Sequence, residues 1–285
     1  MQVVKHINDL QSILNDRRKE GLNIGFVPTM GALHEGHLSL VEMAGQQTSF
    51  VVVSIFVNPT QFNDPGDLSR YPRNLRKDVD LLSGSPCQLV FAPETEEIYP
   101  EPDTRHFSFG ILEQVMEGEF RPGHFNGVAQ VVSRLFDIVQ PDQAFFGQKD
   151  FQQLAIIREL VRKLELSVKI VACPIIREAD GLAMSSRNAL LSPDQRQNAV
   201  HISATLFEAA NKANELSVEK LCQWVINRIN QNDYLQVEYF NIVNEKTLLA
   251  VKDWSDPCKK VGCIAVHCGK IRLIDNIEFK VPEVN

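Results

Sequence analysis

The run Phe50-Val51-Val52-Val53-Ser54-Ile55-Phe56-Val57 constrains what this chain can fold into more than any other stretch. With serine as its one polar member, it is too apolar to face water on either side, and it predicts a strand covered on both faces. Sheets of that kind are parallel, because crossover helices provide the two covers. The neighbouring pattern provides the helices. Apolar positions Ile7, Leu10, Ile13 and Leu14 mark a helical stripe over 6–20, which ends in a charged turn and Gly21. A short strand at Asn23-Ile24-Gly25-Phe26-Val27 follows, and a helical pattern sets in from Leu38 through Leu40, Val41 and Met43. Helix 74–83 leads to strand Gln88-Leu89-Val90-Phe91. Helix 127–140 leads to the short strand Ala144-Phe145-Phe146, and helix 151–164 to a strand over 167–173. The polar stretch from Asn63 through Asp64, Pro65, Gly66 and Asp67 to Tyr71-Pro72-Arg73 is expected to be mobile.

This alternation predicts an α/β fold with a Rossmann-like parallel sheet over residues 1–176. After about Ile176 the rhythm changes. Helices led by Pro193 and around Glu219 give way to β-rich runs at 235–243, 261–267 and 271–279, which predicts a smaller α+β domain over 177–285. At 285 residues and 44% hydrophobic content, the chain is long enough for a full core and two domains.

A formal net charge of −7 argues against a general nucleic-acid binder and for small-molecule partners. No apolar run approaches the roughly 20 residues needed to span a bilayer. The six cysteines form no CxxC pair, and the segment Met1-Gln2-Val3-Val4-Lys5-His6 lacks a signal-peptide hydrophobic region, so a reduced cytoplasmic setting is expected. The group Cys258, Cys263, His267 and Cys268 fits no zinc-finger spacing and is read as small buried thiols.

Ligands of open α/β sheets bind beyond the carboxyl ends of the strands. Three segments lie just past expected strands: Pro28 to His37, Asn58 to Gln61, and Gly147 to Asp150. They are expected to converge on one crevice, with the C-terminal domain as a lid. In the first segment, Pro28-Thr29-Met30-Gly31-Ala32-Leu33-His34-Glu35-Gly36-His37, two histidines three apart sit at a strand-to-helix turn flanked by glycines. A helix start offers unpaired N–H groups and partial positive charge to an anion, and two imidazoles on one side can donate to phosphate oxygens. The competing readings are a zinc pair or ordinary surface histidines; zinc would call for a third ligand. Asn58, Gln61 and Gln153 offer uncharged amides suited to hydroxyls and a carboxylate, although such residues alone are commonly turn formers. Lys149 can neutralise phosphate charge, and Asp150 suits an N-cap, a ligand contact or both. Asp78 and Asp80 are weighed as metal contacts against solvated carboxylates, with solvation favoured.

Four motifs in order carry a resemblance: HxGH after Pro28-Thr29-Met30-Gly31, then Phe56-Val57-Asn58-Pro59-Thr60-Gln61-Phe62, Gly147-Gln148-Lys149-Asp150, and Met184-Ser185-Ser186-Arg187. The chain resembles the pantothenate synthetase (pantoate–β-alanine ligase) family, from about Pro28 to the segment Arg272-Leu273-Ile274-Asp275-Asn276. The Met184–Arg187 segment is also similar to the KMSKS-type loop of class I aminoacyl-tRNA synthetases, with arginine in place of a lysine. The family resemblance implies a homodimeric, Mg²⁺-dependent enzyme that uses ATP to condense pantoate with β-alanine through a pantoyl-adenylate. It implies ATP contacts at Met30, Gly31, Ala32, Leu33, His34, Glu35, Gly36 and His37, at Gly147, Gln148, Lys149 and Asp150, at Ile176, and at Met184, Ser185, Ser186 and Arg187. Pantoate and β-alanine fall to Gln61, Gln153 and Asn58, and catalysis to His37, His34, Lys149 and Arg187. Glutamate is common in the family where Gln148 stands here. Arg121 and His124 are left without a role, and no protein metal ligand is assigned.

Overall fold

The computed structural model describes residues 1–63, 65–213 and 215–280. In chain order the elements are β1 (Gln2–Val4), α1 (Ile7–Lys19), β2 (Ile24–Thr29), α2 (Glu35–Gln47), β3 (Phe50–Ile55), α3 (Pro65–Arg70), α4 (Leu75–Leu82), β4 (Cys87–Phe91), α5 (Thr95–Ile98), α6 (Glu117–Phe120), α7 (His124–Val139), β5 (Gln143–Gly147), α8 (Phe151–Lys163), β6 (Lys169–Cys173), α9 (Pro193–Lys212), α10 (Val218–Asn230), β7 (Leu235–Asn244), β8 (Lys260–Cys268) and β9 (Ile271–Phe279). The polar stretch 63–73 contains α3, while Asp64 lies outside the described residues.

The chain divides into two compact units. One comprises Met1–Glu113, Glu117–Gln148 and Gln153–Pro174; the other comprises Gln114–Met116, Lys149–Gln152 and Ile175–Asn285. The first holds a six-stranded parallel sheet in the order β1-β4-β3-β2-β5-β6. Its central strands are largely apolar because alternate residues feed separate cores. Phe26, Val52, Leu89 and Phe146 pack with Leu10 and Leu14 of α1, Val132 and Phe136 of α7, and Ile157 and Leu160 of α8. Val27, Val51, Val53, Val90 and Phe145 pack with Leu40, Val41 and Ala44 of α2 and Leu82 of α4. The direction of winding reverses at β2, which pairs with β3 on one side and β5 on the other. Crevices form at such switch points. The β2–β5 ladder covers Gly25 and Phe26, and Pro28, which has no N–H to donate, lies beyond it.

In the second unit, β7, β8 and β9 form an antiparallel sheet. Ile264, Val266, Leu273 and Phe279 pack on one face with Ile202 and Leu206 of α9 and Leu221 and Val225 of α10. Ser192 and Gln195 close a reciprocal capping box at the start of α9, with Pro193 in its first turn. The expected α/β domain with a smaller α+β partner is thus what the chain forms, with element ends shifted by a few residues. Helix α7 begins at His124 rather than 127, directly after Gly123 at φ +82°. Among the described residues, no helix is long and apolar enough to cross a membrane.

Candidate active site

The carboxyl ends of β3, β2 and β5 are neighbours, so the segments that follow them share one edge of the sheet. After β2 the chain turns sharply, with Gly31 at φ +77° and Ala32 at φ +50°. A non-glycine residue in the left-handed region is strained, so something must hold it there. Asp78 of α4 does so. Its carboxylate accepts the N–H of Ala32 at 3.1 Å and of Leu33 at 2.8 Å, while Thr29 Oγ1 accepts the N–H of Gly31 at 3.2 Å. A Cβ on Gly31 would lie 2.9 Å from Asp78 Oδ2, which fixes glycine at that position. Asp78 is 2% exposed, and burial pushes its carboxyl up against the pull of the two N–H groups. The solvated-carboxylate reading fails for Asp78, whose oxygens hold backbone, and fits the exposed Asp80.

Helix α2 begins at Glu35, three residues before Leu38, because His34 caps it. The Gly36 N–H donates to His34 Nδ1 at 3.2 Å, the His34 N–H to His37 Nδ1 at 3.3 Å, and the His37 N–H to the His34 carbonyl at 2.7 Å. This corrects the expectation of an open helix start, since the loop and first turn spend these amides within the protein. What the turn presents is a pair of imidazoles with ring centroids 4.1 Å apart. Each Nδ1 accepts an N–H, so the neutral ring carries its proton on Nε2. Of the other residues in the motif, Met30 is half-buried and Glu35 exposed.

The segment after β3 is a second braced turn. Asn58, 1% exposed, accepts the Tyr99 hydroxyl at 2.9 Å and the Thr60 hydroxyl at 3.1 Å through Oδ1. Its Nδ2 donates to Gln61 Oε1 at 3.1 Å and to the Gly127 carbonyl at 3.2 Å. Burial pushes the Tyr99 phenol up and so keeps it a donor. The amide of Gln61 is thereby oriented, and its Nε2 reaches Met30 Sδ at 3.0 Å. The buried His124 donates from Nδ1 to the Gln61 carbonyl at 2.8 Å. A Cβ on Gly127 would overlap the Thr60 carbonyl, so this glycine allows α7 to approach the turn. Gln153 is half-buried in the first turn of α8, and Arg121 pairs with Glu117 at 3.4 Å. Gly147 ends β5, and the N–H of the exposed Gln148 donates to the Cys173 carbonyl at 2.8 Å.

The remaining site residues belong to the second unit. Lys149 pairs with Asp150 at 3.4 Å, its side chain 19% exposed. Asn276 Nδ2 donates to the Lys149 carbonyl at 3.0 Å. Ile176 is half-buried, and its carbonyl accepts the Met184 N–H at 3.0 Å. Ser185 caps a 3₁₀ turn, Ser186–Leu190, by accepting the Arg187 N–H at 3.3 Å. Asn188 closes that turn, donating from Nδ2 to Glu178 Oε1 at 3.2 Å and to the Ala183 carbonyl at 3.1 Å. Arg196 bonds Asp180 at 2.7 Å and lies 3.7 Å from Glu178.

Met30–His37, Asn58, Gln61, Gly147, Gln148 and Gln153 are therefore carried by the first unit, and Lys149, Asp150, Ile176 and Met184–Arg187 by the second. Sequence reasoning missed Asp78, Tyr99, Gly127, Asn188 and the Asp275-Asn276 pair as supports. Of the last pair, Asp275 had a visible signal, a charge on the face of β9 that otherwise carries Ile271, Leu273, Ile277 and Phe279.

The model of the pantoate-beta-alanine ligase family matches residues 2–278. The pantothenate synthetase of Bacteroides thetaiotaomicron is 54% identical over 280 residues, covering 98% of this chain and 99% of that protein. That of Phocaeicola vulgatus is 55% identical over 281 residues, covering 98% and 100%. Among solved structures, a pantothenate synthetase from Thermus thermophilus superposes with a TM-score of 0.91 at 43% identity, over 98% of this chain and 99% of the other. The pantoate-beta-alanine ligase of Francisella tularensis, complexed with beta-gamma ATP and beta-alanine, gives 0.82 at 33% identity over 99% of both chains. On these matches and on the ordered motifs, the chain belongs to the pantoate-beta-alanine ligase family.

Proposed function

We propose that this enzyme, an ATP-dependent ligase that condenses pantoate with β-alanine, works through a pantoyl-adenylate. The pantoate carboxylate attacks the α-phosphorus and diphosphate leaves; the neutral amine of β-alanine then attacks the acyl carbon and AMP leaves, giving pantothenate. Adenylation replaces an oxide leaving group with a phosphate ester. The observation that carries the reading is the histidine pair, whose Nδ1 atoms accept backbone N–H and whose Nε2–H groups can donate to phosphate oxygens as charge develops. His37 donates to the departing diphosphate and His34 to its neighbouring oxygens. Lys149 supplies a point cation, and Ser185, Ser186 and Arg187 follow the diphosphate. Gln61 and Gln153 hold pantoate, and Gln61 borders β-alanine. Asn58, with both polar atoms bonded to protein, acts by orienting Gln61.

Mg²⁺ would enter with ATP and would offset the charge of its phosphates. Among the described residues no group of three or more His, Cys, Asp or Glu is placed to hold a metal. Six free cysteines support a reducing cytoplasmic setting. A homodimer is part of this reading and is checked by sedimentation.

The test is pantoate-dependent exchange of labelled diphosphate into ATP, with Mg²⁺ and without β-alanine. Exchange with pantoate supports the adenylate. Exchange with a different acid alone would keep the chemistry and replace the substrate; none with any acid would reduce the protein to a nucleotide binder.

A further inference from the structure

The division of the chain separates Gln148 from Lys149 in the middle of a four-residue motif and assigns Lys149–Gln152 to the C-terminal unit. What ties Lys149 there is visible in β9. Adjacent residues of a strand point to opposite faces. Asp275 is directly opposite Ile264, on the face covered by α9 and α10, and Asn276 is opposite Cys263, on the other face. On the helix side Asp275, 4% exposed, holds Arg177 through both oxygens, at 2.7 and 3.0 Å. On the other side Asn276, 7% exposed, donates from Nδ2 to the Lys149 carbonyl at 3.0 Å. The two grips are joined, since Asp275 Oδ1 also accepts the Asn276 N–H at 2.8 Å.

We propose that Asn276, backed by the Asp275–Arg177 pair, is the positioning residue for Lys149. It holds the lysine backbone in one frame with the Ile176–Met184 bridge next to Arg177. A planar guanidinium gripped at two points leaves Asp275 little freedom, and the Asn276 amide inherits that fixity. The charge that Lys149 brings to phosphate is then placed by a residue 127 positions away. This inference rests on the phosphate role proposed for Lys149.

A double-mutant cycle in the full-length protein tests it, with kcat and KM for ATP measured in pantoate-dependent diphosphate exchange for Lys149→Ala, Asn276→Ala and the double variant. Thermal unfolding is recorded for each. Misplacing a group that acts on the transition state costs on the order of 10²-fold. Asn276→Ala is therefore expected to lower kcat by roughly ten- to a hundredfold, with little further loss when added to Lys149→Ala. Asn276→Ser, which keeps a shorter donor, is run in parallel in case the alanine variant fails to fold, and is expected to show the same loss of additivity. Losses that multiply in the double variant would overturn the proposal, because Asn276 would then act on something other than Lys149. So would normal exchange by Asn276→Ala. If Lys149→Ala alone exchanges normally, the phosphate role of the lysine fails instead.

Discussion

The β2–α2 loop and the 3₁₀ turn at Ser186–Leu190 both present side chains suited to phosphate, yet they are secured by opposite means. The first is fixed by a desolvated carboxylate, Asp78, clamping two strained amides, and by a cap made of the site histidines themselves. The second is fixed by a neutral amide, Asn188, and by the Arg196 pairs with Glu178 and Asp180, which remain half-open to water. Buried bonds to charge are strong and insensitive to salt, whereas exposed pairs are weak and screened. The contrast teaches that the histidine turn is held by buried bonds to charge, while the Ser186–Leu190 turn is held by contacts that water and salt can weaken.

The comparison breaks most visibly at His37. If His37 plays the role proposed for it, replacement by alanine removes a donor to developing charge, and diphosphate exchange should fall on the order of 10²- to 10³-fold. The melting point should move little by comparison; normal exchange would take His37 out of the mechanism. Next is Asp78→Asn, which keeps the shape but turns an N–H toward a backbone N–H. A buried donor left unpaired costs about 1–3 kcal/mol, so Tm should drop and exchange should fall by about tenfold or more. Full activity in this variant would mean that the loop needs no brace. Asn188→Ala, in the yielding region, should raise the KM for ATP by only about fivefold, the equivalent of roughly one net hydrogen bond. A larger loss than that of Asp78→Asn would reverse the comparison.

The smallest effect sharpens the contrast through its sign. Burial raises Asp78 above its usual 3.8, so the folded state binds the extra proton. Its penalty is absent below that value, and stability declines as pH rises through the folded pKa. The hydrogen bond from Arg196 lowers Asp180 below 3.8, so its contribution is present above that value and is lost as pH falls through the folded pKa. Melting curves from pH 7 to 3 for Asp78→Asn and Asp180→Asn should therefore depart from the parent in opposite directions. Departures of the same sign would show that the two regions share one kind of support.

Much of the fold was legible because both of its periodicities are strong, in the unbroken apolar run of β3 and in the spacing of Leu10 and Leu14 on α1. The candidate residues were legible where they lie within a few positions of one another, as His34 and His37 do. Their supports were not. Asp78 meets Ala32 and Leu33 across 45 or 46 residues, and no local pattern announces that an aspartate on an amphipathic helix will point inward. The open helix start was a fair expectation from Gly31 and Gly36. It failed because a histidine at the cap can accept an N–H as serine or aspartate does, which removes the donors that the phosphate was expected to use. The membership of Lys149 in the C-terminal unit depends on Asn276 and could not be read from either segment alone.

The two apolar cores of the parallel sheet also bear on how the gene tolerates insertions and deletions. In a sheet with one wet face, losing a single residue turns polar side chains inward and the error is punished at once. In β3, Val51 and Val53 face one core and Val52 the other, so a slip by one exchanges valine for valine. Register here is guarded by details, such as Gly25, where a Cβ would run into Thr48, and the Thr29 hydroxyl bonded to the Ser54 carbonyl at 2.7 Å. A one-residue deletion within Val51–Val53 should therefore keep valine on both faces there while dragging the Asn58–Gln61 turn by about 3.3 Å, one strand residue. Such variants would accumulate as folded protein without activity.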